Sequence, residues 1–356
     1  MTDYRTTTRR DFLKTSLLGG LTAATSLGSF RPAFALNESA RKRGMSRVAL
    51  NAGDDRADNV FQGLKVFERQ IKDAIGGRRI VLKPNNVSID RQLAASHVDC
   101  LGAILEFLKS IGETDIIIAE SPATGSALDG FEHFGYYDLA KKYKIEFVDL
   151  DKADYELNYV IHDADFHPHE VRLSRLLLDP DNFIISSAVL KTHDRVVTTL
   201  SLKNIVFGAP LKDEGWHWGI DPSKGLRSDK PTTHGGGPKG INYNLFALAP
   251  RLHPDLSIID GFEGMEGNGP SSGTPVDHRV AVVSTDWLAA DRVGVELMGV
   301  DFSKVGYLNY CAMAKMGEAD LNNIEVVGAR ISDHIKSYKL HDNVEKQFTW
   351  MTPNQG

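Results

Sequence analysis

Cysteine is nearly absent: Cys100 and Cys311 are the only two in 356 residues. An iron–sulfur cluster takes four thiolate ligands and a cysteine-rich zinc site takes paired spacings, so both are excluded. The two thiols lie far apart, each in a segment that reads as helix. A disulfide and two buried thiols both stay open. Positive charge is also short, with 41 Lys and Arg against 47 Asp and Glu, a formal net charge of -6. Such a balance opposes binding to phosphate backbones or anionic membranes, and no nucleic acid partner is expected. The uncharged run from Thr15 to Phe30 is shorter than the about 18 apolar residues a membrane-spanning helix needs, and Gly19, Gly20 and Thr22 interrupt it. Two phosphate-binding loops are missing as well. No G-x-G-x-x-G follows an early strand at the opening of a helix, which excludes a nicotinamide site (no NAD), and Gly235 to Gly240 lacks the Lys-Ser/Thr ending of a nucleotide triphosphate loop.

What is present begins at the N-terminus. Arg9-Arg10-Asp11-Phe12-Leu13-Lys14 precedes the uncharged run, which closes on Ala33-Phe34-Ala35, a small-residue pattern that signal peptidase accepts. The pattern resembles a twin-arginine export signal, a receptor-read address for folded proteins. Residues 1–35 are therefore read as a signal peptide cleaved after Ala35. The expectations are a twin-arginine translocase partner, a periplasmic or otherwise exported location, and no membrane span after cleavage. The leader holds five basic residues and two acidic ones, so the remaining chain is more acidic still.

Residues 36–356 alternate strand and helix patterns. Arg79-Ile80-Val81-Leu82 is an apolar run that stops at Lys83-Pro84-Asn85-Asn86. Ser96 suits a helix N-cap ahead of Val98, Leu101, Ile104, Leu105 and Leu108 at helical spacing. Asp115 to Glu120 is a second strand, Phe131 to Tyr143 a helix, and Ile145 to Asp149 another strand. Phe183 to Leu190 follows, then a helix over Thr198 to Phe207. Residues 209–240, dense in glycine and proline around Trp216-His217-Trp218, read as a long ordered loop or lid. A helix around Asn244 to Leu252, strands at Leu256 to Asp260 and Val280 to Ser284, and a helix from Trp287 to Met298 complete the series. The fold class is α/β: one large domain with a mostly parallel sheet, helices on both faces, and a long loop insertion.

Polar residues gather where strands end: Lys83 and Asn85, Glu120 and Ser121, Lys191 and His193, then Asp260, Glu263, Glu266 and Asn268. In open α/β sheets the ligand crevice lies beyond the carboxyl ends of the strands, so these four clusters are expected to converge. The strings Val81-Leu82-Lys83-Pro84-Asn85, Leu190-Lys191-Thr192-His193, Ser201-Leu202-Lys203-Asn204 and Asp260-Gly261 through Glu266-Gly267-Asn268-Gly269-Pro270 carry a resemblance to the family catalogued as domain of unknown function 362, from about Val48 to Gly328. The resemblance implies a single α/β domain, in some members fused to ferredoxin-like iron–sulfur modules. This chain lacks the cysteines of those modules.

The residue types suggest a chemistry. Lys83, Lys191, Lys203 and His193 are donors for a carboxylate or phosphate, and Asn85, Asn204 and Asn268 can orient it. Glu263, Glu266 and His193 are the candidate acids and bases, since crowded carboxylates raise one another's pKa. Asp260, Glu263 and Glu266 offer oxygen ligands for magnesium, manganese or calcium, a possible divalent metal; capping helices and backbone is the other use for them. His162, His167 and His169 cluster with Asp163 and Asp165 in a stretch that reads as a solvated loop. His193, His217 and His234 bracket the long loop and are placed to meet over the crevice. The expectation is an exported α/β enzyme that binds a small anionic substrate and moves a proton or uses a metal. The alternative is a non-catalytic periplasmic binding or accessory protein for an anionic ligand or redox partner.

Overall fold

The computed structural model describes residues 45–165 and 167–351. The expected signal peptide lies outside the described residues. Strand β1 (Ser46–Ala52) leads to helices α1 (Arg56–Lys65) and α2 (Glu68–Ile75), then β2 (Arg79–Lys83), α3 (Val98–Ser110), β3 (Asp115–Glu120), α4 (Ala127–His133) and β4 (Lys144–Asp149). A hairpin of β5 (Tyr155–His162) and β6 (Pro168–Ser174) precedes β7 (Asn182–Thr192), the two-residue β8 (Thr198–Thr199) and α5 (Ser201–Val206). The remainder is α6 (Gly237–Leu248), β9 (Leu256–Glu266), β10 (Thr274–Ser284), α7 (Trp287–Leu297), α8 (Gly306–Met313) and β11 (Ile324–Gly328).

The main sheet runs β11-β1-β10-β9-β7-β2-β3-β4, with β8 added to β7. Pairings β9/β7, β7/β2, β2/β3 and β3/β4 are parallel, whereas β10 runs antiparallel to both β1 and β9. All eleven residues of β7 are buried, as a strand covered on both faces requires. Alternation along β2 divides the core: Ile80 and Leu82 join one apolar cluster with α1, α2 and α3, while Val81 faces a second with α5, α6 and α7. Helices thus cover both faces of a mostly parallel sheet, and the architecture is α/β.

Local chemistry moved several expected boundaries. The α3 cap is His97, whose ring accepts the Asp99 amide; Ser96 is engaged elsewhere, its hydroxyl taking the Asn85 amide (2.8 Å) and donating to the Ser187 carbonyl (2.7 Å). The expected Phe131 to Tyr143 helix breaks at Gly135, which adopts φ 73°. The Thr198 to Phe207 helix begins only at Ser201, because Thr198 and Thr199 pair with β7. Helix α6 starts at Gly237, inside the segment read as loop, and that segment also holds a helical turn at Lys230–Thr233. Both cysteines are buried and free.

The chain builds β2, β3 and β4 in one direction and then returns to lay β7 on the other side of β2. A crevice opens outside the strand ends wherever an α/β sheet reverses its order in this way. Here that place lies beyond Lys83 of β2 and along the longer β7, where the register pairs Lys83 with Ser186.

Candidate functional site

A cavity of about 490 Å³ occupies the switch point, lined by the ends of β2, β3 and β7, by α5 and by the 209–240 segment. Its floor is a network. Lys83 donates to Glu120 (2.6 Å) and Asn204 Oδ1 (3.1 Å), and Glu120 also accepts the Asn86 (2.9 Å) and Ser121 (2.8 Å) amides. Asn204 is held in turn by Ser186 Oγ and the Lys83 carbonyl. Lys83 is 1% exposed and burial pushes its ammonium below the ordinary lysine value, against the pull of Glu120. Gly208 makes room for it: a Cβ there would sit 1.9 Å from Lys83 Cε.

The walls are basic. Lys203 enters from α5 with its Nζ 5.1 Å from the centre of the Phe207 ring, and among the described residues it has no hydrogen-bond or ion-pair partner. Burial, then the nearby Lys83 and Arg195 charges, bring its pKa down to about 7 against the opposing pull of Asp194. Burial does the same to Lys230, also to about 7. His193 and His234 stack at 6.4 Å; burial and then Lys203 hold His234 at about 3 and His193 well below the usual imidazole value. His234 Nδ1 lies 2.6 Å from the Lys230 carbonyl, which fixes it as the donor nitrogen. Lys191 lies beneath the lining, donating to the Ala94 carbonyl (2.9 Å), and burial lowers it strongly. Trp218, 48% exposed, stands at the rim.

The sheet therefore brings Lys83, Asn85, His193, Lys203 and Asn204 to one cavity, with Lys191 behind it. It does not bring Asp260, Glu263, Glu266 or Asn268 there. Strand β9 runs past the switch point and folds back as β10, so these side chains face other neighbours. Asp260 sits 3.3 Å from Arg56, and Glu263 lines a separate shallow groove with Arg56 and His97. Glu266 accepts the Lys339 amide (2.8 Å), and Asn268 exchanges hydrogen bonds with Asp342. What this hairpin contributes to the cavity is Pro270 and Ser271. Among the described residues the trio Asp260, Glu263 and Glu266 forms no ligand cluster, so it does not fit a shared divalent ion. The cluster that does form is Asp163, Asp165 and His167 on the β5–β6 turn, largely exposed and outside the cavity lining. His217 is exposed and lines no part of the cavity.

Sequence reasoning passed over Lys230, Arg195 and Phe207, named Trp218 only as part of the lid, and placed Glu120 among the converging strand ends without a chemical role. A lysine inside a glycine-rich loop carries no mark of burial, so Lys230 offered no signal. Glu120 did offer one, a carboxylate ending a strand beside a strand that ends in lysine.

Comparison with known proteins adds context. A thylakoid-associated protein of Synechocystis sp. is 28% identical over 227 residues, which cover 63% of this chain and 64% of the relative, so the match spans less than two thirds of the relative's length. No solved structure matches. A family model described as a domain of unknown function matches residues 80–296, a stretch that contains the lysines, histidines and asparagines of the cavity. The chain belongs to that family, domain of unknown function 362.

Proposed function

We propose that this protein is an enzyme that binds a small anionic substrate in the switch-point cavity and exchanges a proton with it through Lys203. The observation that carries the reading is Lys203 itself, a buried amine with no hydrogen-bond or ion-pair partner among the described residues, in a cavity whose lysine at the floor is fully paired. An isolated ammonium is costly to bury and relaxes by losing its proton. A bound anion supplies the missing partner and favours the charged form. An amine balanced near neutrality is also suited to general acid–base work, because its two protonation states are close in free energy. His193 and His234, kept neutral, add hydrogen-bonding nitrogens without adding charge.

Calorimetric titration with inorganic phosphate and with acetate tests the binding step. Lys203→Met is expected to weaken binding by more than about tenfold while leaving the fold intact. Equal affinities in the two proteins would overturn the assignment to Lys203, and no binding of either anion would overturn the site. Incubation with a small-molecule extract then separates catalysis from capture: the reading requires an anion to be consumed, and an anion retained unchanged would replace the enzyme by a binding protein.

The reading includes export. The Arg9-Arg10 leader and the thylakoid association of the relative both support action at or beyond a membrane, and among the described residues no helix is long and apolar enough to cross one. Changing both Arg9 and Arg10 to Lys is expected to retain the protein in the cytoplasm, with the exported chain otherwise beginning at Leu36; an exported chain that begins at Met1 would contradict it.

A further inference from the structure

The cavity is not satisfied by its own hydrogen bonds, and the pattern of what is left over narrows the ligand. Three of its lining residues, Asn85, Asn86 and Thr199, are 6%, 2% and 1% exposed, and each keeps one side-chain polar atom with no hydrogen-bond partner among the described residues: Asn85 Oδ1, Asn86 Nδ2 and Thr199 Oγ1. A buried polar atom without a partner costs about 1–3 kcal/mol, so three among the residues that line one cavity are a feature to be explained.

The orientation of Asn85 is fixed by its neighbours. Asn204 directs its amide nitrogen at the Lys83 carbonyl (3.2 Å) and Ser186 Oγ (3.0 Å), so its Oδ1 is the acceptor. That oxygen already receives Lys83, and Asn85 must present its own nitrogen there as well, at 3.0 Å. The unpaired atom of Asn85 is then an acceptor, and it meets its match only in a ligand donor. Thr199 sits next to α5 and adds a hydroxyl able to give or take a hydrogen bond. The cations of the same cavity, Lys203 foremost, call for negative charge. Carboxylate or phosphate alone offers acceptors, which satisfies Lys203 and leaves Asn85 Oδ1 unpaired.

Resting on the proposed anion site, we infer that its ligand is a hydroxylated anion, a hydroxy acid or a hydroxylated phosphate ester, whose hydroxyl donates to Asn85 Oδ1 while its charged group engages Lys203. The cavity volume of about 490 Å³ suits a small metabolite of this kind. Sites built to hydrogen-bond a ligand hydroxyl reject the analogue that lacks it far more strongly than apolar pockets discriminate by size, because the buried partners are left bare.

The test is calorimetric titration of the full protein with two matched pairs, lactate against propionate and glycerol 3-phosphate against propyl phosphate. At least one hydroxylated member is expected to bind at least about tenfold more tightly than its partner, and which pair does so tells carboxylate from phosphate. Thr199→Val and Asn85→Leu are expected to shrink that ratio toward unity, with melting temperature recorded for each; if Asn85→Leu does not fold, the wild-type ratio and Thr199→Val decide. Equal affinity within both pairs in the wild-type protein overturns this inference and leaves the anion site standing. Binding of none of the four compounds overturns both.

Discussion

The two rims of the sheet's carboxyl end use their polar residues in opposite ways. On the β2–β3–β7 side, β2 and β3 stop together beside the longer β7, and their lysines, histidines and asparagines line a common cavity. On the β9–β10 side the strand does not stop, and Asp260, Glu266 and Asn268 are engaged with Arg56 and with the segment around Lys339 and Asp342. Both rims are dense in polar side chains in sequence, Lys, Asn, Glu and His on the first and Asp, Glu and Asn on the second. The difference is where hydrogen bonds close: Asp260 and Glu266 of the hairpin are engaged by the protein and Glu263 is exposed to solvent, whereas among the described residues the cavity leaves Lys203, Asn85 Oδ1 and Thr199 Oγ1 without a hydrogen-bond partner.

Substitutions on the two rims should therefore behave differently. The largest effect is expected at Glu120, because removing one member of a buried ion pair strands the other; Glu120→Leu should cost about 3–5 kcal/mol in denaturant unfolding, and adding Lys83→Met should restore much of it. Next comes Lys203→Met, which should weaken phosphate binding by more than about tenfold and leave stability unchanged or raised, since a methylene chain replaces a desolvated amine. Gly208→Ala should follow, with about 1–3 kcal/mol lost and anion affinity reduced, as the new methyl displaces the Lys83 side chain. Glu263→Gln and Glu266→Gln should change phosphate affinity by less than about twofold, the size of a rim charge's influence. A large loss of affinity in either would erase the contrast between the rims.

Acidity sharpens the same contrast. Lys203 and Lys230 fall from the ordinary 10.5 to about 7 in the folded protein. Above pH 7 the unfolded chain then holds more protons than the folded one, and stability rises with pH. This should be visible in chemical denaturation up to about pH 8.5, where the buried thiols of Cys100 and Cys311, pushed up by burial, begin to act in the opposite sense. Anion affinity should run the other way, falling as pH climbs through 7 and the amines lose charge. Stability and affinity that rise together would contradict the placement of these lysines.

Much of this arrangement was legible in the residues. The strands β2, β3 and β7 announce themselves because burial on both faces demands near-continuous apolar runs, and lysine or glutamate at their ends marks where each meets the crevice. The strand-end rule then located Lys83, Asn85, Glu120 and His193 together, while Lys203 and Asn204, which lie on α5, were marked only by the Ser201-Leu202-Lys203-Asn204 string that carries the family resemblance. It misled for Glu263 and Glu266 because nothing in Asp260-Gly261-Phe262-Glu263 distinguishes a strand that ends from one that continues into an antiparallel partner. Strands β1, β5, β6 and β11 escaped notice: β5 and β6 form a separate, half-exposed hairpin, β11 is a short edge strand, and β1 buries only Val48, Ala49 and Leu50 between exposed or half-buried ends. Lys230 was hidden in a segment whose glycines and prolines read as loop, although its last residues begin α6, whereas His234 of the same segment was expected over the crevice and lies there, stacked on His193.

The central claim is that buried amines, poised near neutrality, take up a proton when an anion binds. Sulfate, whose charge is fixed near neutrality, allows a direct test: titrate it into the protein at pH 8 in buffers of different ionisation enthalpy and count the protons bound. The account predicts uptake of roughly one proton per engaged lysine, lost in Lys203→Met. Binding of sulfate without proton uptake would contradict it.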